Sequence, residues 1–595
     1  MRANAGGVLR RALGCWLVAG GSLVAVLPPG VGAEPTAADR QPQEAVTAVL
    51  QDEAAGKVED RTALLEAIRS EYPRAAAAQW QAGYVRWKDK WIKYDAVAEH
   101  PGLQAALQTY ERQRQAAADT PVGQMALADW CRTQGLREQE QVHLNRVLAL
   151  APNHEGARTR LGWKWIGGRW FEQRELDSVR QQTEATAKAA RTHAAQIKRA
   201  FAALSSRNPE DRRKAEQTLE KCTEPAVIPL LLQAFDGANE AAQLQAIQAI
   251  DRIRSPLASV TLARIAVANP YSAVGEAAAQ TLRSRPFYDY VPTLLSLMSS
   301  PVETRWIVEQ VAGNQLRYRQ VFLREKEDHK EVLMVAHTLR QNAGRVTPEQ
   351  AQQLANVGQD RVARLGDVNA EIDSLNRSIS TVLKTATGEQ LDSTPDAWWN
   401  WWYNVNESFP DGEKETYTMA YYSATTIPMV STTSGTTAAR KECLVAGTPI
   451  WTVTGPRPVE QLQTGDLVLS QDPSTGELAY KPVLLPTQRP RGPIIRIETE
   501  RDTIRCSGGH LFWVSGEGWV RARQLRTGQR LHDVRGSTVV KHWSEEADEQ
   551  LTYNLIVADF HSYFVGEGKV LSHDNSIPRG TDATVPGLAA TPSAQ

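Results

Sequence analysis

Five sequence blocks follow one another between residues 443 and 575, and they limit the fold of this part of the chain more than any other feature. The first block begins at Cys443, the third contains Ser507 and His510, and Asn575 closes the series. Strand-like runs alternate with turns rich in Gly, Pro and Asp, which predicts an all-β domain. The blocks are 443–448, 459–469, 506–514, 519–528 and 553–566.

These blocks resemble the Hint domain, the self-processing fold shared by inteins, hedgehog autoprocessing domains and the pretoxin-type domains of secreted bacterial proteins. The resemblance is carried by the motifs Cys-Leu-x-x-Gly-Thr at 443–448, Cys-Ser-Gly-Gly-His at 506–510 and Tyr-Asn-Leu-x-Val-Ala-Asp at 553–559, ending near Asn575. It implies a folded-over, horseshoe-like β architecture that brings both ends of the segment together. Cys443, His510 and Asn575 would then share one site.

The resemblance also implies a reaction at the start of the segment. The Cys443 thiolate would attack the carbonyl carbon of Glu442 and form a thioester, since cysteine is already nucleophilic near neutral pH. His510 would donate a proton to the departing amide nitrogen. Ser507 stands where the family usually has threonine, and it keeps a hydroxyl that can bond the scissile peptide or orient His510. The chain would be its own substrate, in a single-turnover reaction.

The C-terminal end departs from the family pattern. Inteins cyclise their last asparagine with help from the histidine directly before it, whereas here Asp574 precedes Asn575 and His573 is one step further away. His561 matches the late histidine of the family, and Ser576 is an acceptable acceptor for splicing. Cleavage at Glu442–Cys443, cleavage after Asn575 and complete splicing therefore stay open, as does a scaffold with a vestigial, non-catalytic Hint fold.

Residues 34–345 have helical patterns that resemble known repeats. Ala126 to Trp170, within 34–200, resembles a tetratricopeptide-like helix pair. Within 201–345, three similar segments have leading prolines at 225, 256 and 286, which are 31 and 30 residues apart. Proline is well tolerated in a first helical turn, so this spacing resembles HEAT-type helix pairs stacked in an α-solenoid. Such surfaces usually bind proteins, and the sequence identifies no partner.

The remaining segments complete the predicted organisation. Residues 346–422 are predicted to be helical, and they contain four tryptophans at 398–402 that are expected mainly to pack against the solenoid. Residues 423–442 are rich in Ser and Thr and predict a linker. Residues 576–595 are predicted to be a disordered tail. The predicted fold class is therefore multidomain, with an all-α repeat region followed by the all-β domain at 443–575.

The N-terminus predicts export. Residues 1–33 have arginines at 2, 10 and 11, an apolar stretch at 12–27 and small residues at 31–33, as in a cleaved signal peptide; an uncleaved anchor is the alternative. The protein is expected in the periplasm, in the cell envelope or outside the cell, with no other membrane association.

Charge and cysteine content exclude other classes. A net charge of −1 without a long basic block gives no basis for nucleic-acid binding. The cysteines have no metal-ligand spacing, so no metal or other cofactor is predicted. Cys506 is expected to pack in the core, with a disulfide to Cys443 as the alternative.

Overall fold

The computed structural model describes residues 37–57, 61–166, 169–236, 238–311, 315–340, 348–406, 408–409, 414–422, 425–433, 439–440, 443–581 and 583–589. The predicted signal peptide and Glu442 lie outside these ranges. Within them, no helix combines the length and the apolar character that crossing a membrane requires.

Helices dominate the described residues before 300. Several begin with a proline in the first turn and a capping side chain just before it, as at Thr120-Pro121 and Ser255-Pro256. The helices are α1 (Ala37–Ala54), α2 (Thr62–Glu71), α3 (Ala76–Gln81), α4 (Leu103–Ala116), α5 (Pro121–Thr133), α6 (Arg137–Leu150), α7 (Glu155–Arg160), α8 (Gln173–Leu204), α9 (Pro209–Glu220), α10 (Ile228–Phe235), α11 (Glu240–Arg252), α12 (Pro256–Ala268), α13 (Ser272–Leu282), α14 (Val291–Leu297), α15 (Pro348–Thr387) and α16 (Pro395–Val405).

Helices α8 to α14 share one hydrophobic core with the end of α15 and with α16. The three predicted prolines lie at the expected places: Pro225 and Pro256 begin helical turns, and Pro286 directly precedes another. Trp398 and Trp399 are buried in this core, as packing against the helices predicted. A helical N-terminal region is therefore observed, whereas the HEAT and tetratricopeptide types stay predictions.

A five-stranded sheet interrupts this region and differs from the predicted organisation. Residues predicted to belong to the helical repeats, to the helical segment 346–422 and to the linker form a sheet in the order β10-β9-β7-β6-β5. Its strands are β5 (Glu303–Val311), β6 (Gln315–Glu325), β7 (His329–Arg340), β9 (Glu415–Tyr422) and β10 (Thr425–Thr433). Strand β7 pairs in parallel with β9, and α15 lies in the connection between them. Phe322 and Leu333 of the sheet pack against Leu365 and Ile372 of α15. The many Thr, Tyr and other β-branched or aromatic residues of β9 and β10 favour strand over helix in these two segments.

The region from residue 443 is an all-β domain, as predicted. Its strands are β12 (Leu444–Val445), β13 (Pro449–Thr452), β14 (Gly455–Pro458), β15 (Leu467–Gln471), β16 (Leu478–Thr499), β17 (Thr503–Ser507), β18 (Leu511–Val514), β19 (Gly518–Arg521), β20 (Arg530–Asp533), β21 (Gly536–Val557), β22 (Ser562–Val565) and β23 (Val570–His573). The long strands β16 and β21 pair along most of their length. Strand β12 lies between β17 and β21, and β23 pairs with β18, β20 and β22.

Short strand pairs complete the described structure. They are β1 (Tyr84–Trp87) with β2 (Lys90–Lys93), β3 (Lys164–Ile166) with β4 (Arg169–Phe171), β8 (Ser408–Phe409) with β11 (Ala439–Arg440), and β24 (Ala583–Val585) with β25 (Leu588–Ala589). The last pair corrects the predicted disordered tail. Val585 and Leu588 are buried against Leu50 and Leu65 of the N-terminal helices, and this apolar burial orders the segment.

Candidate functional site

Cys443 is buried directly before β12, and the strand register sets its neighbour. Leu444 pairs with Cys506 of β17, so Cys443 lies opposite Ser507. The backbone N–H of Cys443 donates to Ser507 Oγ at 3.0 Å, and the Cys443 carbonyl accepts from the Ser507 N–H at 2.8 Å. A serine hydroxyl therefore holds the nitrogen of the peptide bond that the sequence predicts to break.

His510 lies in the turn after β17 and is fully buried. Its N–H donates to the Ser507 carbonyl at 3.2 Å, and its carbonyl accepts from the Ala522 N–H at 2.8 Å. Nε2 of the ring is 2.6 Å from Ser572 Oγ, and the edge of Phe512 lies 5.0 Å away between ring centroids. Ser572, on β23, thus fixes the orientation of the imidazole.

Asp574 is the centre of a second cluster at the end of β23. Its Oδ2 atom accepts from the Val557 N–H at 2.9 Å and is 3.1 Å from Nδ1 of His561. Its Oδ1 atom accepts from both the N–H and the hydroxyl of Ser576. Burial raises the pKa of Asp574, but His561, His573 and Ser576 outweigh burial and lower that pKa to about 2. The carboxyl is therefore ionised at neutral pH.

His573 lies between the residues around His510 and the cluster around Asp574. It follows Ser572 on β23, and its Nδ1 atom is 2.8 Å from the Asp574 carbonyl oxygen. Its ring is held edge-on to Trp519, with 4.8 Å between centroids. A continuous series of contacts therefore runs from Cys443 through Ser507 and His510 to the C-terminal end of the segment.

Asn575 lies beside β21 next to the start of the segment. Its N–H donates to the Leu555 carbonyl at 2.8 Å, and its Nδ2 donates to Thr487 Oγ1 at 3.2 Å. Leu444, the residue after Cys443, pairs with Tyr553 on the same strand. Both ends of the 443–575 segment therefore contact the same part of β21, residues 553–555.

Comparisons with known proteins agree with this geometry. Residues 449–575 match the family model of the pretoxin HINT domain. This part of the chain is a Hint domain. The match ends at Asn575, where the sequence predicted the end, and Cys443 lies six residues before its start. No curated protein matches the chain in a sequence comparison.

Solved structures similar to the Hint domain are intein-like domains and inteins. A bacterial intein-like domain from Clostridium thermocellum is 35% identical, covering 22% of this chain and 99% of its own, with a TM-score of 0.22. The gp41-1 intein is 24% identical, covering 22% and 99%, with a TM-score of 0.20. A DnaB intein from Synechocystis sp. PCC 6803 is 15% identical, covering 23% and 100%, with a TM-score of 0.21.

Two polar residues of the Hint domain site were missed from sequence. Ser572 looks like an ordinary strand serine, and only the pairing of β23 with β18 brings it to His510. Tyr563 donates from its hydroxyl to Asn554 Oδ1 at 2.5 Å, within the recognised closing block. Burial raises the pKa of Tyr563 well above its usual value, so its hydroxyl stays a donor at neutral pH.

Cys506 has the predicted packing role. It is fully buried in the hydrophobic core of the Hint domain, opposite Leu444. No disulfide joins it to Cys443, and both are described residues. The alternating faces of a strand explain this, because Cys506 is adjacent to Ser507, which faces Cys443.

Proposed function

We propose that the Hint domain cleaves the Glu442–Cys443 peptide bond of its own chain through a thioester on Cys443. The observation that carries the proposal is the hydrogen bond from the Cys443 N–H to Ser507 Oγ. A hydroxyl that accepts from the nitrogen of the proposed scissile bond, next to a buried cysteine, supports an N-to-S acyl shift at this bond.

The first step forms one bond and breaks another. The Cys443 thiolate adds to the carbonyl carbon of Glu442, and the carbon–nitrogen bond to Cys443 then breaks. The nitrogen leaves as an amine after gaining a proton, for which His510 is the donor we propose. Its Nε2 atom is occupied by Ser572, so the transfer is assigned to Nδ1. Such proton transfer is typically worth about 10²–10⁴-fold in rate.

Water completes the cleavage. It adds to the thioester carbonyl, the carbon–sulfur bond breaks, and the products are a carboxylate at Glu442 and a thiol and free amine at Cys443.

Cleavage after Asn575 is proposed to be much slower. The family uses a histidine before the asparagine, which can donate a proton to the reacting peptide, whereas ionised Asp574 can only accept hydrogen bonds. Cyclisation requires the side-chain nitrogen Nδ2 of Asn575 to attack the backbone carbonyl carbon of the same residue, and this nitrogen donates a hydrogen bond to Thr487. Complete splicing is therefore the less favoured function.

The proposal also includes export and protein binding. Residues 1–33 have the composition of a signal peptide. Stacked helix pairs such as α8 to α14 commonly present binding surfaces for proteins. A pull-down with the full chain and with the Cys443→Ala variant tests this role, since binding by a repeat region is expected to be independent of cleavage.

Intact mass of the chain from residue 34 tests cleavage directly. We expect fragments 34–442 and 443–595 from the native chain and an uncut chain from Cys443→Ala. Cys222→Ala is a matched control, because Cys222 is also a buried cysteine but lies in the helical core. An added thiol should accelerate the native reaction by intercepting the thioester. A native chain that stays uncut, with or without thiol, would falsify the proposal.

A further inference from the structure

Apolar residues between positions 80 and 107 pack into the Hint domain as part of its hydrophobic core. Val85 of β1 and Val97 are buried in the same cluster as Leu469, Trp513 and Phe564 of the Hint domain. The Tyr480 hydroxyl of the domain also donates to the Tyr94 carbonyl at 2.8 Å. A face of the Hint domain is thus covered by a segment that begins about 400 residues earlier in the chain.

A buried ionic network crosses this junction. Glu53 of α1 is fully buried, with its Oε2 atom 2.5 Å from Nη1 of Arg61 and its Oε1 atom 2.8 Å from Nδ1 of His532. Ser515 donates to Glu53 Oε1 at 2.6 Å, and His532 Nε2 lies 2.9 Å from Gln471 Oε1. Two residues of the network precede the predicted cut and three follow it.

Residues 583–589 contact the same junction from its other side. Gln81 of α3 accepts from Arg61 Nη2 at 2.6 Å and donates to the Pro586 carbonyl at 2.8 Å. Val585 and Leu588 are buried against the N-terminal helices. Residues from the beginning and the end of the described chain therefore enclose the Glu53 network.

Separation of the N-terminal segment from the Hint domain would expose buried polar groups as well as apolar surface. Pulling the N-terminal segment away would leave His532 and Ser515 without the Glu53 carboxylate and would uncover the shared core. Removing one partner from a buried charge pair is strongly unfavourable, because the remaining polar group has no substitute for it. Loss of the covalent link at residue 442 changes none of these contacts.

We propose that the N-terminal fragment of this chain is the binding partner of the Hint domain after cleavage, so that the cut yields a non-covalent complex and releases neither half. The inference rests on the proposed function for the origin of the cut, but the interface exists in the uncut chain. Processing would then change the connectivity of the molecule while its parts stay together.

The test separates the complex from the cleavage reaction. A recognition sequence for a site-specific protease is inserted at 434–438 in the Cys443→Ala chain, so that the halves are cut whether or not the Hint domain reacts. Denaturing gels confirm the cut, and size-exclusion chromatography with light scattering gives the mass. We expect one peak with the mass of the uncut chain, also in about 1 M NaCl, because buried pairs are little screened by salt.

Matched variants identify the ionic network. In the protease-cut chain, Glu53→Gln is expected to raise the dissociation constant of the halves at least tenfold relative to the parent. Glu66→Gln is the control: Glu66 also pairs with cations, but these partners, Arg69 and Lys93, both belong to the N-terminal segment. Circular dichroism of the uncut variants shows whether each one folds.

Two separate peaks from the parent at micromolar concentration would overturn the inference. An unchanged dissociation constant for a folded Glu53→Gln chain would overturn the part assigned to the network. Absence of self-cleavage in the native chain would instead contradict the proposed function and leave the protease result standing.

Discussion

Replacing Ser507 by alanine removes the oxygen that contacts the nitrogen of the proposed scissile bond. That oxygen accepts the N–H of Cys443 at 3.0 Å, and both residues are buried. In the proposed reaction the Cys443 nitrogen begins as a neutral amide, and it gains a proton and a positive charge in the tetrahedral intermediate before the carbon–nitrogen bond breaks. Its N–H therefore becomes a stronger donor as the reaction proceeds, and Ser507 stabilises the transition state more than the ground state.

The size of the effect follows from the two hydrogen bonds involved. A bond between neutral groups contributes about 1 kcal/mol net, and one with a charged partner about 1.5–3 kcal/mol. The transition-state stabilisation lost in Ser507→Ala is therefore about 0.5–2 kcal/mol, which is roughly a 2–30-fold slower cleavage at 25 °C. Ser507→Thr, which keeps the hydroxyl and introduces the residue usual in the family, should retain most of the rate.

The assay follows the fraction of cut chain over time on denaturing gels, after refolding or induction of expression. Melting temperatures of both variants show whether they are folded, because buried Ser507 also contributes to stability. The reasoning fails if Ser507→Ala cuts at the native rate, or if a folded Ser507→Thr is as slow as the alanine variant.

Three further results are expected from the described contacts. Asp574→His should increase cleavage after Asn575 by restoring a proton donor, which mass spectrometry of the released C-terminal peptide would detect; no gain would count against the role given to Asp574. Because the folded-state pKa of Asp574 is about 2, below its usual value of about 3.9, ionised Asp574 stabilises the fold by roughly 2–3 kcal/mol above pH ~5, and this stabilisation is lost as pH falls towards 2. The free energy of unfolding, measured with urea at several pH values in this range, should therefore change less with pH in Asp574→Asn than in the native chain. An equal change with pH in both proteins would contradict this. Trp398→Ala should lower the free energy of unfolding by about 3–5 kcal/mol, because it removes a fully buried ring that also donates a hydrogen bond to Ser380. Trp401→Ala, at a partly exposed position, should lower the melting temperature less in the same thermal melts.

The all-β domain was predicted from strand-like runs that alternate with turns, whereas the proximity of Cys443 and Ser507 was predicted from the resemblance to the Hint domain. Cys443 stands at a strand entrance and Ser507 at a strand end, and one step of register brings them together. His510 lies in the turn that follows, three residues from Ser507.

Other features depend on contacts that no local pattern encodes. Strand β7 reads equally well as a helix, and its parallel partner β9 begins 75 residues after β7 ends. The hydrogen bond of Ser572 to His510 depends on sheet pairing across about 60 residues. The tail at 583–589 looked disordered because its few apolar residues gain their core only from the N-terminal helices. Long-range burial, rather than propensity, decides each of these cases.

The same long-range contacts determine when the site is complete. His510 is oriented by Ser572 on β23, one of the last strands of the chain, and β23 pairs with β18 and β20. Strand β20 carries His532, which contacts Glu53 near the start of the described chain. The geometry proposed for cleavage therefore depends on strands that form only when most of the Hint domain has been made, and the Glu53 network requires the N-terminal segment in place. An early cut would separate a chain whose halves could not yet hold each other, whereas a late cut acts on parts already packed together.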